Sequence, residues 1–442
     1  MRRKVARREF LKQGVLGAAA SGLAAGQASA LEGPAAPSDR VVLALIGAGR
    51  QGMGLLKAFG EQKDARLAAV CDVYAPHREK AREASGAEAC ADFRRVLDRP
   101  DIDAVVVATP DHWHPLMTVM ACQAGKDVYV EKPVSVAVGE GRKMVEAAGK
   151  HRRVVQVGTQ QRSGVHFQHA VEIVRSGRLG KVTLVRTWNV DNSFPEGIGN
   201  PPDSAPPPDL DWEMWLGPAP RVPFNSNRFG VRPDAWSSFR WFWDYAGGMM
   251  TDWGVHLLDI VQWAMDAEAP RAVWASGGKL ALQDNRETPD TLTVSFEYPG
   301  FVAVYENRVC NGRPFDGHGY GITFHGSEAT LFVDREGFEL IPEWGSEGPR
   351  RTTRTDALRE GSSNPQVATH VRNFLDCVKS RERPVSDVEV GHRSTTTCLL
   401  ANIAYRTGRK VHWDAAREQV QDDPGAAAYL RREYRPPWKL EV

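Results

Sequence analysis

Six consecutive apolar residues, 41–46, lead directly into the glycine-rich sequence Gly47-Ala48-Gly49-Arg50-Gln51-Gly52. A short, continuous apolar run is typical of a parallel strand that is buried on both faces. Residues 53–60, after the glycines, have the composition of a helix. In such a strand–turn–helix unit the glycines permit a tight turn, close approach of a pyrophosphate, and close helix–strand packing. The pattern therefore predicts a dinucleotide-binding unit at the start of a parallel sheet.

An acidic residue follows at the position where a ribose would lie. A second strand is predicted at residues 67–71 and ends at Asp72, about twenty residues beyond the glycines, where a carboxylate can accept a bond from a ribose 2′-hydroxyl. A carboxylate there repels a 2′-phosphate, so we expect NAD rather than NADP. The alternative is a glycine-rich turn beside a surface aspartate. The predicted cofactor-binding residues of this unit are Gly47, Gly49, Arg50, Gln51, Gly52 and Asp72.

Two further apolar strands end in polar sequences. Residues 104–108 lead into Thr109-Pro110-Asp111-His112-Trp113-His114, and residues 128–130 lead into Glu131-Lys132-Pro133. Ligands of open parallel sheets bind outside the carboxyl ends of the strands. A lysine at such an end can hold a substrate oxygen while charge develops on it.

Strands of alternating polarity replace this pattern in the second half of the chain, for example at residues 291–298 and 329–333. Alternation without intervening helices indicates a mainly antiparallel sheet with one face covered. The expected fold is α/β: a Rossmann doubly wound parallel sheet at residues 38–160, then an α+β domain at residues 161–412 with a large, mostly antiparallel sheet. Residues 370–408 are predicted to be helical, residues 413–442 are assigned to a C-terminal tail, and no structure is predicted for residues 431–442.

The first thirty residues have the order of a cleavable export signal. Six basic residues and one acidic residue are followed by an apolar stretch and by Ala28-Ser29-Ala30. The segment Arg7-Arg8-Glu9-Phe10-Leu11-Lys12 resembles the twin-arginine consensus, although Ala6 stands where that consensus has Ser or Thr. We therefore expect export, to the periplasm or beyond, with no stable membrane insertion after cleavage.

Charge and cysteine content exclude other classes. The chain has 56 basic and 55 acidic residues; without residues 1–30 it has 50 and 54, a net charge of −4, so no basic excess is available for a nucleic-acid partner. Its six cysteines show no CxxC spacing, which argues against a disulfide scaffold or a cysteine-rich zinc module. No third ligand with recognised spacing accompanies the Asp and His residues at 111–114 or at 252 and 256, so no metal is expected.

Four motifs together resemble the Gfo/Idh/MocA oxidoreductases, which include glucose–fructose oxidoreductase and inositol dehydrogenase. They are GAGRQG at 47–52, TPDHWH at 109–114, EKP at 131–133 and GGMMTDWGVH at 247–256. The resemblance implies that Lys132 contacts substrate and nicotinamide and that one helix supplies Asp252 and His256. It also implies that Thr109, Pro110, His114 and Glu131 lie beside the cofactor, and that the C-terminal sheet builds a homodimer or homotetramer.

The chemistry of these residue types agrees with that mapping. Asp252 and His256 are spaced i, i+4 and would share one face of a helix. Histidine suits removal of a hydroxyl proton near neutral pH, a neighbouring carboxylate can orient it, and Lys132 would stabilise the alkoxide. An Asp–His pair on a helix is otherwise often structural. Lys132, Asp252 and His256 are therefore the predicted catalytic residues, and also substrate-binding ones.

Further substrate contacts are predicted on two grounds. Arg162 follows the last Rossmann strand, where its guanidinium could reach cofactor or substrate, although a surface salt bridge is an alternative. Nine of the 13 tryptophans lie between residues 188 and 274. Core packing is expected for most of them, with Trp243 and Tyr245 as the exceptions that stack on a sugar ring.

These observations predict an exported, NAD-dependent oxidoreductase acting on a secondary alcohol of a sugar, polyol or glycoside. One alternative is a glycosidase that uses transient oxidation by NAD, but the GGHGG-type element of known NAD-dependent glycosidases is absent. Another is a non-catalytic binding protein with the same fold, against which Lys132, Asp252 and His256 argue.

Overall fold

The computed structural model describes residues 39–231, 236–344 and 355–442. The expected export signal at residues 1–30 lies outside these described residues. No helix in the described part of the chain combines the length and the apolar character that crossing a membrane requires.

The first domain is a six-stranded, all-parallel sheet with helices on both faces. Its strands lie in the order β3-β2-β1-β4-β5-β6. Strands β1 and β4 are almost wholly buried, because helices cover both faces of the sheet, and this is why they read as continuous apolar runs. The prediction of a doubly wound parallel sheet is confirmed. The elements are β1 (Val41–Ile46), α1 (Arg50–Gly60), β2 (Ala65–Cys71), α2 (Ala75–Ser85), β3 (Glu88–Cys90), α3 (Arg94–Leu97), β4 (Ala104–Val107), α4 (His114–Gln123), β5 (Asp127–Val130), α5 (Val138–His151) and β6 (Val155–Val157).

The second domain is built on a ten-stranded sheet. Its elements are α6 (Val165–Arg175), β7 (Leu184–Val190), α7 (Trp212–Leu216), α8 (Ser226–Phe229), α9 (Gly248–Asp252), α10 (Gly254–Ala264), β8 (Ala272–Gly278), β9 (Thr291–Tyr298), β10 (Phe301–Arg308), β11 (Tyr320–His325), β12 (Ala329–Val333), β13 (Gly337–Pro342), β14 (Leu358–Gly361), α11 (Gln366–Ser380), α12 (Val388–Thr407), β15 (Val411–Asp414), β16 (Gln419–Val420) and α13 (Pro424–Ala427).

The strand order of this sheet is β14-β13-β12-β11-β7-β10-β9-β8-β15-β16. Strands β7 and β10 run parallel, and the other neighbouring strands in the described part of this sheet pair antiparallel. Alternate residues of the strands enter one large core together with apolar residues of α6, α10 and α12. The sheet is therefore covered on one face, as the alternation predicted.

Two long helices and the tail join the domains. The segment predicted to be helical forms α11 and α12, and Phe374 and Leu375 of α11 pack into the core of the first domain. The tail is more ordered than the sequence suggested. Trp413 of β15 pairs with Val420 of β16, so strand pairing continues past residue 412, and further along Trp438 packs edge-on against Trp113, with 5.0 Å between ring centroids.

Candidate active site

A cavity of about 1160 Å³ lies between the carboxyl ends of the parallel strands and the second domain. Because ligands of open parallel sheets bind at these strand ends, its position agrees with the motif-based expectation. Most of the predicted site residues line it: Gly47, Gly49, Arg50, Gln51, Asp72, Thr109, Pro110, His114, Glu131, Lys132, Asp252 and His256.

The glycine loop forms an open cradle at one end of the cavity. Gly47 has φ +91°, and a side chain there would meet the backbone of Ala108. At Gly52 a methyl group would overlap the carbonyl oxygen of Gly47, whereas at Gly49 it would meet no described residue within 4 Å. No side chain caps the start of α1, so its first N–H groups and partial positive charge can face an anion. The loop therefore fits a pyrophosphate.

Asp72 lies beside this loop. Its Oδ2 accepts a hydrogen bond from the backbone N–H of Ala48 at 2.8 Å, and its Oδ1 accepts one from the backbone N–H of Tyr74 at 2.9 Å. The ring of His77 lies 3.6 Å from Oδ2. The carboxylate is thus held in place at the wall of the cavity, where it can bond a ribose hydroxyl and disfavour a 2′-phosphate.

A three-residue ionic cluster occupies the other end. Lys132 Nζ donates to Asp252 Oδ1 at 2.7 Å and to the backbone oxygen of Asp252 at 3.1 Å. The guanidinium of Arg240 lies 2.5 Å from Asp252 Oδ2. Burial by itself would raise the pKa of Asp252, but the charges of Arg240 and Lys132 outweigh it and hold that pKa well below its usual range. One carboxylate thus positions two cations at the cavity wall.

His256 stands next to this cluster with its ring 6% exposed. Its Nδ1 has no hydrogen-bond partner among the described residues. Burial, assisted by the charges of Lys132 and Arg335, lowers the pKa of His256 well below its usual value. The ring is therefore neutral near pH 7, with a nitrogen that can accept a proton.

Asp252 and His256 are not on one continuous helix as the resemblance implied. Asp252 ends α9, His256 belongs to α10, and Trp253 stands between the two helices. Trp253 keeps helical backbone angles, φ −91° and ψ −39°. Because the turn is nearly maintained across this break, both side chains still reach the same cavity.

Two residues of the cluster region were missed by the sequence analysis as functional residues. Asp111 is a buried cavity residue at the carboxyl end of β4. Burial raises its pKa to about 7, against the lowering effect of Lys132 and Arg240. Its place after a buried strand was a usable signal. Arg240 offered none, because its approach to Asp252 depends on a short 3₁₀ turn, Ser238–Trp241, in an irregular segment.

The remaining motif residues hold the strand-end loops against one another. The ring nitrogens of His114 lie 2.7 Å from the oxygen of Pro133 and 2.9 Å from that of Thr109, and burial lowers the pKa of His114 to about 4. Glu131 accepts hydrogen bonds from Gln51 at 2.9 Å and from Gln160 at 3.0 Å, and burial raises its pKa. These residues thus form the floor of the cavity.

Two buried polar groups on that floor lack partners in the described part of the chain: the hydroxyl of Thr109 and both side-chain atoms of Gln161. Both residues line the cavity. Because an unsatisfied buried polar group is costly, they fit a bound molecule with its own donors and acceptors, as NAD or a sugar has.

Arg162 is engaged in a buried ion pair outside the cavity. Its guanidinium makes two hydrogen bonds to Asp259, of 2.7 and 2.9 Å, and stacks on Trp263 with 5.0 Å to the ring centroid. It does not line the cavity, whereas its neighbours Gln160 and Gln161 do. The short helix that follows β6 turns the arginine away from the ligand side and the glutamines toward it.

Trp243 and Tyr245 also lie away from the cavity. Tyr245 is fully buried and packs edge-on against Trp215 at 4.8 Å, while Trp243 lies under the guanidinium of Arg406 at 4.9 Å. Neither lines the cavity; the aromatic residues that do are Phe93, Trp113, Trp215, Phe229, Trp236, Phe239, Trp241, Trp253 and Tyr320. Proximity in sequence to α9 did not reveal which rings face inward.

Comparison with known families and proteins agrees with this geometry. The profile of the Gfo/Idh/MocA oxidoreductase family, NAD-binding Rossmann fold, matches residues 41–159. The profile of its C-terminal alpha/beta domain matches residues 163–284 and 342–440. The chain therefore belongs to the Gfo/Idh/MocA family of oxidoreductases, and its first domain is an NAD-binding Rossmann domain.

Individual relatives are more distant. Myo-inositol 2-dehydrogenase of Thermotoga maritima is 25% identical over 353 residues, 79% of this chain and 91% of the relative. Glycosyl hydrolase family 109 protein 2 of Shewanella sp. is 32% identical over 200 residues, 40% of this chain and 44% of the relative. The WlbA dehydrogenase of Bordetella pertussis, solved with NADH and UDP-GlcNAcA, has a TM-score of 0.64 at 19% identity, with 85% of this chain and 99% of that chain covered. This last likeness shows a shared fold.

Proposed function

We propose that this oxidoreductase transfers a hydride between a secondary alcohol of a sugar, polyol or glycoside and a tightly bound NAD. The observation that carries the proposal is the cavity that joins the glycine cradle to the Lys132–Asp252–Arg240 cluster and the neutral His256. Alcohol oxidation requires a cation that stabilises the negative charge on oxygen, a base that takes the hydroxyl proton and a site that binds the dinucleotide.

Each residue of the site has a separate role in the proposed hydride transfer. NAD, held by the glycine loop and Asp72, would supply the hydride acceptor or donor for the carbinol carbon. The neutral ring of His256 accepts the hydroxyl proton, and its low pKa lets the ring release that proton again. The ammonium of Lys132 donates a hydrogen bond to the oxygen as negative charge develops there. Asp252 and Arg240 position Lys132, while Asp72 and the glycine loop hold the cofactor.

The residues that line the cavity and the named activity of one relative both support a carbohydrate substrate. Aromatic rings such as Trp253 and Trp236 at the cavity wall can cover the C–H face of a sugar ring, and nearby polar groups can bind hydroxyls. A relative that matches most of this chain is a myo-inositol 2-dehydrogenase, which by its name acts on a cyclic polyol.

Incubation of the purified protein with sugars, polyols and glycosides tests the proposal. Mass spectrometry should find a product two hydrogens lighter, and a wild-type sample should show reduced nicotinamide absorbance. A His256→Ala variant should lose this product, whereas an exposed-surface variant such as Lys57→Ala should retain it. Absence of any oxidised product across the panel, from folded protein that contains NAD, would contradict the proposed activity.

A second candidate function is glycoside cleavage through transient oxidation. The 32% identity with a glycosyl hydrolase family 109 protein, over 200 residues, favours its inclusion. Release of p-nitrophenol from aryl glycosides without net NADH would support it, while a keto-sugar product supports the first proposal. A protein that binds a sugar but yields neither product would be a non-catalytic binding protein.

Export by the twin-arginine pathway is part of the same proposal and rests on residues 1–30 alone. That pathway carries folded proteins, so the cofactor could cross with the chain, and outside the cytoplasm it must stay bound. Cell fractionation of the full chain and of an Arg7→Lys, Arg8→Lys variant tests this. Cytoplasmic accumulation of both proteins would contradict export; nicotinamide released by denaturing the exported protein would support tight binding.

A homodimer or homotetramer through the open face of the ten-stranded sheet completes the proposal. Exposed apolar side chains lie on that face: Leu184 at 37%, Val302 at 36%, Trp274 at 48% and Ile341 at 48%. Leu184 and Val302 are paired neighbours on β7 and β10, and exposed apolar area of this kind favours association. Light scattering should find an oligomer that a Leu184→Glu, Trp274→Glu variant weakens; a monomeric wild type would contradict it.

A further inference from the structure

Arg335 places a positive charge in the cavity on the side of the second domain. It lies in the turn between β12 and β13 and lines the cavity together with Trp253, His256 and Tyr320. Its guanidinium stacks on the Trp253 ring, 4.8 Å from the centroid, so its flat face is covered and its N–H edge stays available. Arg335 is also close enough to His256 for its charge to contribute to the low pKa of that ring.

This arginine makes no ion pair within the described part of the chain, and the two adjacent carboxylates are engaged elsewhere. Asp334 accepts hydrogen bonds from the backbone N–H groups of Glu336 and Gly337, at 2.9 and 3.1 Å, and contacts the His318 ring. Glu336 accepts from the hydroxyl of Tyr320 at 2.8 Å. The turn thus contributes a guanidinium to the cavity without a carboxylate to neutralise it.

The other strong cations of the cavity have a counterpart or an explained position. Lys132 and Arg240 share Asp252. Arg50 begins α1 at the glycine loop and stacks on Trp236 at 4.5 Å, where the negative charge of a pyrophosphate would neutralise it. Among the described residues that line the cavity, Arg335 is the remaining strong cation, and it lies at the end where the substrate would bind.

We propose that Arg335 binds an oxyanion carried by the substrate, so that the enzyme acts on acidic sugars, of which uronic acids are the simplest, in preference to neutral ones. The guanidinium fork matches a carboxylate in a two-point contact. Such a contact would fix which sugar carbon faces Lys132 and His256, because it anchors the ring at a second point. This inference rests on the proposed oxidation of a carbohydrate in the same cavity. A sugar phosphate presents the same chemistry and is compared below.

The experiment uses the full chain with its cofactor, as wild type, Arg335→Ala, Arg335→Lys and Arg186→Ala. Arg186 is a matched control: its guanidinium stacks on Phe315 at 4.7 Å, but it does not line the cavity. Rates are compared for D-glucuronate, D-galacturonate, D-glucose, D-galactose and D-glucose 6-phosphate. Binding of D-glucuronate is measured separately by calorimetry, and thermal unfolding establishes that each variant folds.

Wild type and Arg186→Ala should prefer the uronates, and the ratio of kcat/KM for uronate over neutral sugar should fall about 100-fold in Arg335→Ala. This ratio should fall less in Arg335→Lys, because lysine keeps the positive charge and loses only the two-point guanidinium contact. A preference for glucose 6-phosphate that Arg335→Ala abolishes would support oxyanion recognition, with phosphate as its source. If Arg335→Ala does not fold, the same ratio of kcat/KM is compared between Arg335→Lys and Arg186→Ala. A lower ratio in Arg335→Lys supports the inference, and an equal ratio contradicts it.

Two results would overturn the inference while leaving the proposed function in place: neutral sugars oxidised as efficiently as acidic ones, or a preference that Arg335→Ala retains. Glucuronate binding that depends on Arg335, without oxidation of any compound in the wider panel of sugars, polyols and glycosides, would support the inference and overturn the proposed function. Absence of glucuronate binding together with absence of turnover across that wider panel would overturn both.

Discussion

Lys132 Nζ lies 2.7 Å from Asp252 Oδ1, and this ion pair joins the parallel sheet of the first domain to the end of α9 in the second. The two residues are 120 positions apart in sequence. Arg240 completes the contact from the other side of the carboxylate. The pair therefore fixes the position of the lysine in the cavity and couples the site to the relative placement of the domains.

Replacement of Lys132 should lower activity far more than stability. We expect Lys132→Ala to reduce kcat/KM by about 10³-fold, because the cation that stabilises the developing alkoxide is lost. Arg240 still neutralises Asp252 in this variant, so the fold should persist. Steady-state kinetics and thermal unfolding measure the two effects, with Lys57→Ala as a surface control. A Lys132→Ala enzyme within a few-fold of wild type would exclude the lysine from the reaction.

The activity should depend on the ionisation of Asp111 near neutral pH. Its pKa of about 7 means that the carboxyl beside Lys132 and Arg240 changes charge in the assay range. We expect an inflection near pH 7 in the profile of log kcat/KM, and its loss in Asp111→Asn. The exposed Asp266 offers a control substitution, Asp266→Asn. An unchanged inflection in Asp111→Asn would assign the ionisation to another group.

The same carboxyl should make stability depend on pH. Burial raises the pKa of Asp111 in the folded state above that of an exposed aspartate, so the folded protein binds this proton more tightly than the unfolded chain. The free energy of unfolding should therefore lose a contribution as pH rises from about 4 to about 7. Urea unfolding at pH 5 and pH 8 should show a smaller decrease for Asp111→Asn than for wild type. An equal decrease in both proteins would contradict the assignment.

Gly49 and Gly52 should respond differently to one methyl group. Gly52→Ala should destabilise the loop, since the methyl would overlap the Gly47 carbonyl oxygen. Gly49→Ala should fold normally, because no described residue lies within 4 Å of that position. Its methyl would instead enter the space predicted for the pyrophosphate and weaken NAD binding by at least about tenfold. Thermal unfolding without added nucleotide and NAD titration separate the two effects. Unweakened NAD binding by Gly49→Ala would place the cofactor elsewhere.

Arg162 should prove structural. Arg162→Ala leaves the buried Asp259 unpaired and should cost about 3–5 kcal/mol of unfolding free energy. A double substitution, Arg162→Leu with Asp259→Leu, should recover part of that loss because no lone charge remains. Urea unfolding measures both, with the more exposed Arg175→Ala for comparison. A large rise in the KM for sugar at unchanged stability would restore the ligand-binding role that the sequence suggested.

Local sequence patterns were sufficient for the architecture. The β1 strand was predicted with its observed bounds, Val41–Ile46, and β9 likewise, Thr291–Tyr298. A continuous apolar run indicates a strand that is buried on both faces, and alternation indicates a strand that is buried on one face. Both patterns can be seen in the residues of the strand alone. The motif residues at the strand ends were found for the same reason, since parallel strands bring their carboxyl ends to one edge.

Side-chain direction outside regular elements was not available from such patterns. Arg162 and Gln161 are neighbours, yet one faces Asp259 and the other the cavity. For the same reason, the sequence indicated Trp243 and Tyr245 as substrate-stacking residues, whereas Trp236 and Trp253 line the cavity. Rotation about a short irregular turn decides which side chain faces a ligand, and no periodicity encodes it.

The sequence by itself determined the two-domain architecture, the NAD-binding loop and the identity of Lys132, Asp252 and His256 as residues of one site. Only the tertiary structure decided that Arg240 shares Asp252, that Asp111 is buried beside them, and that Arg335 enters the cavity without an ion pair to any described carboxylate. The physical reason is that strand burial and helix starts depend on neighbouring residues. The charge balance of a cavity instead depends on which distant side chains the packing of two domains brings within a few ångströms.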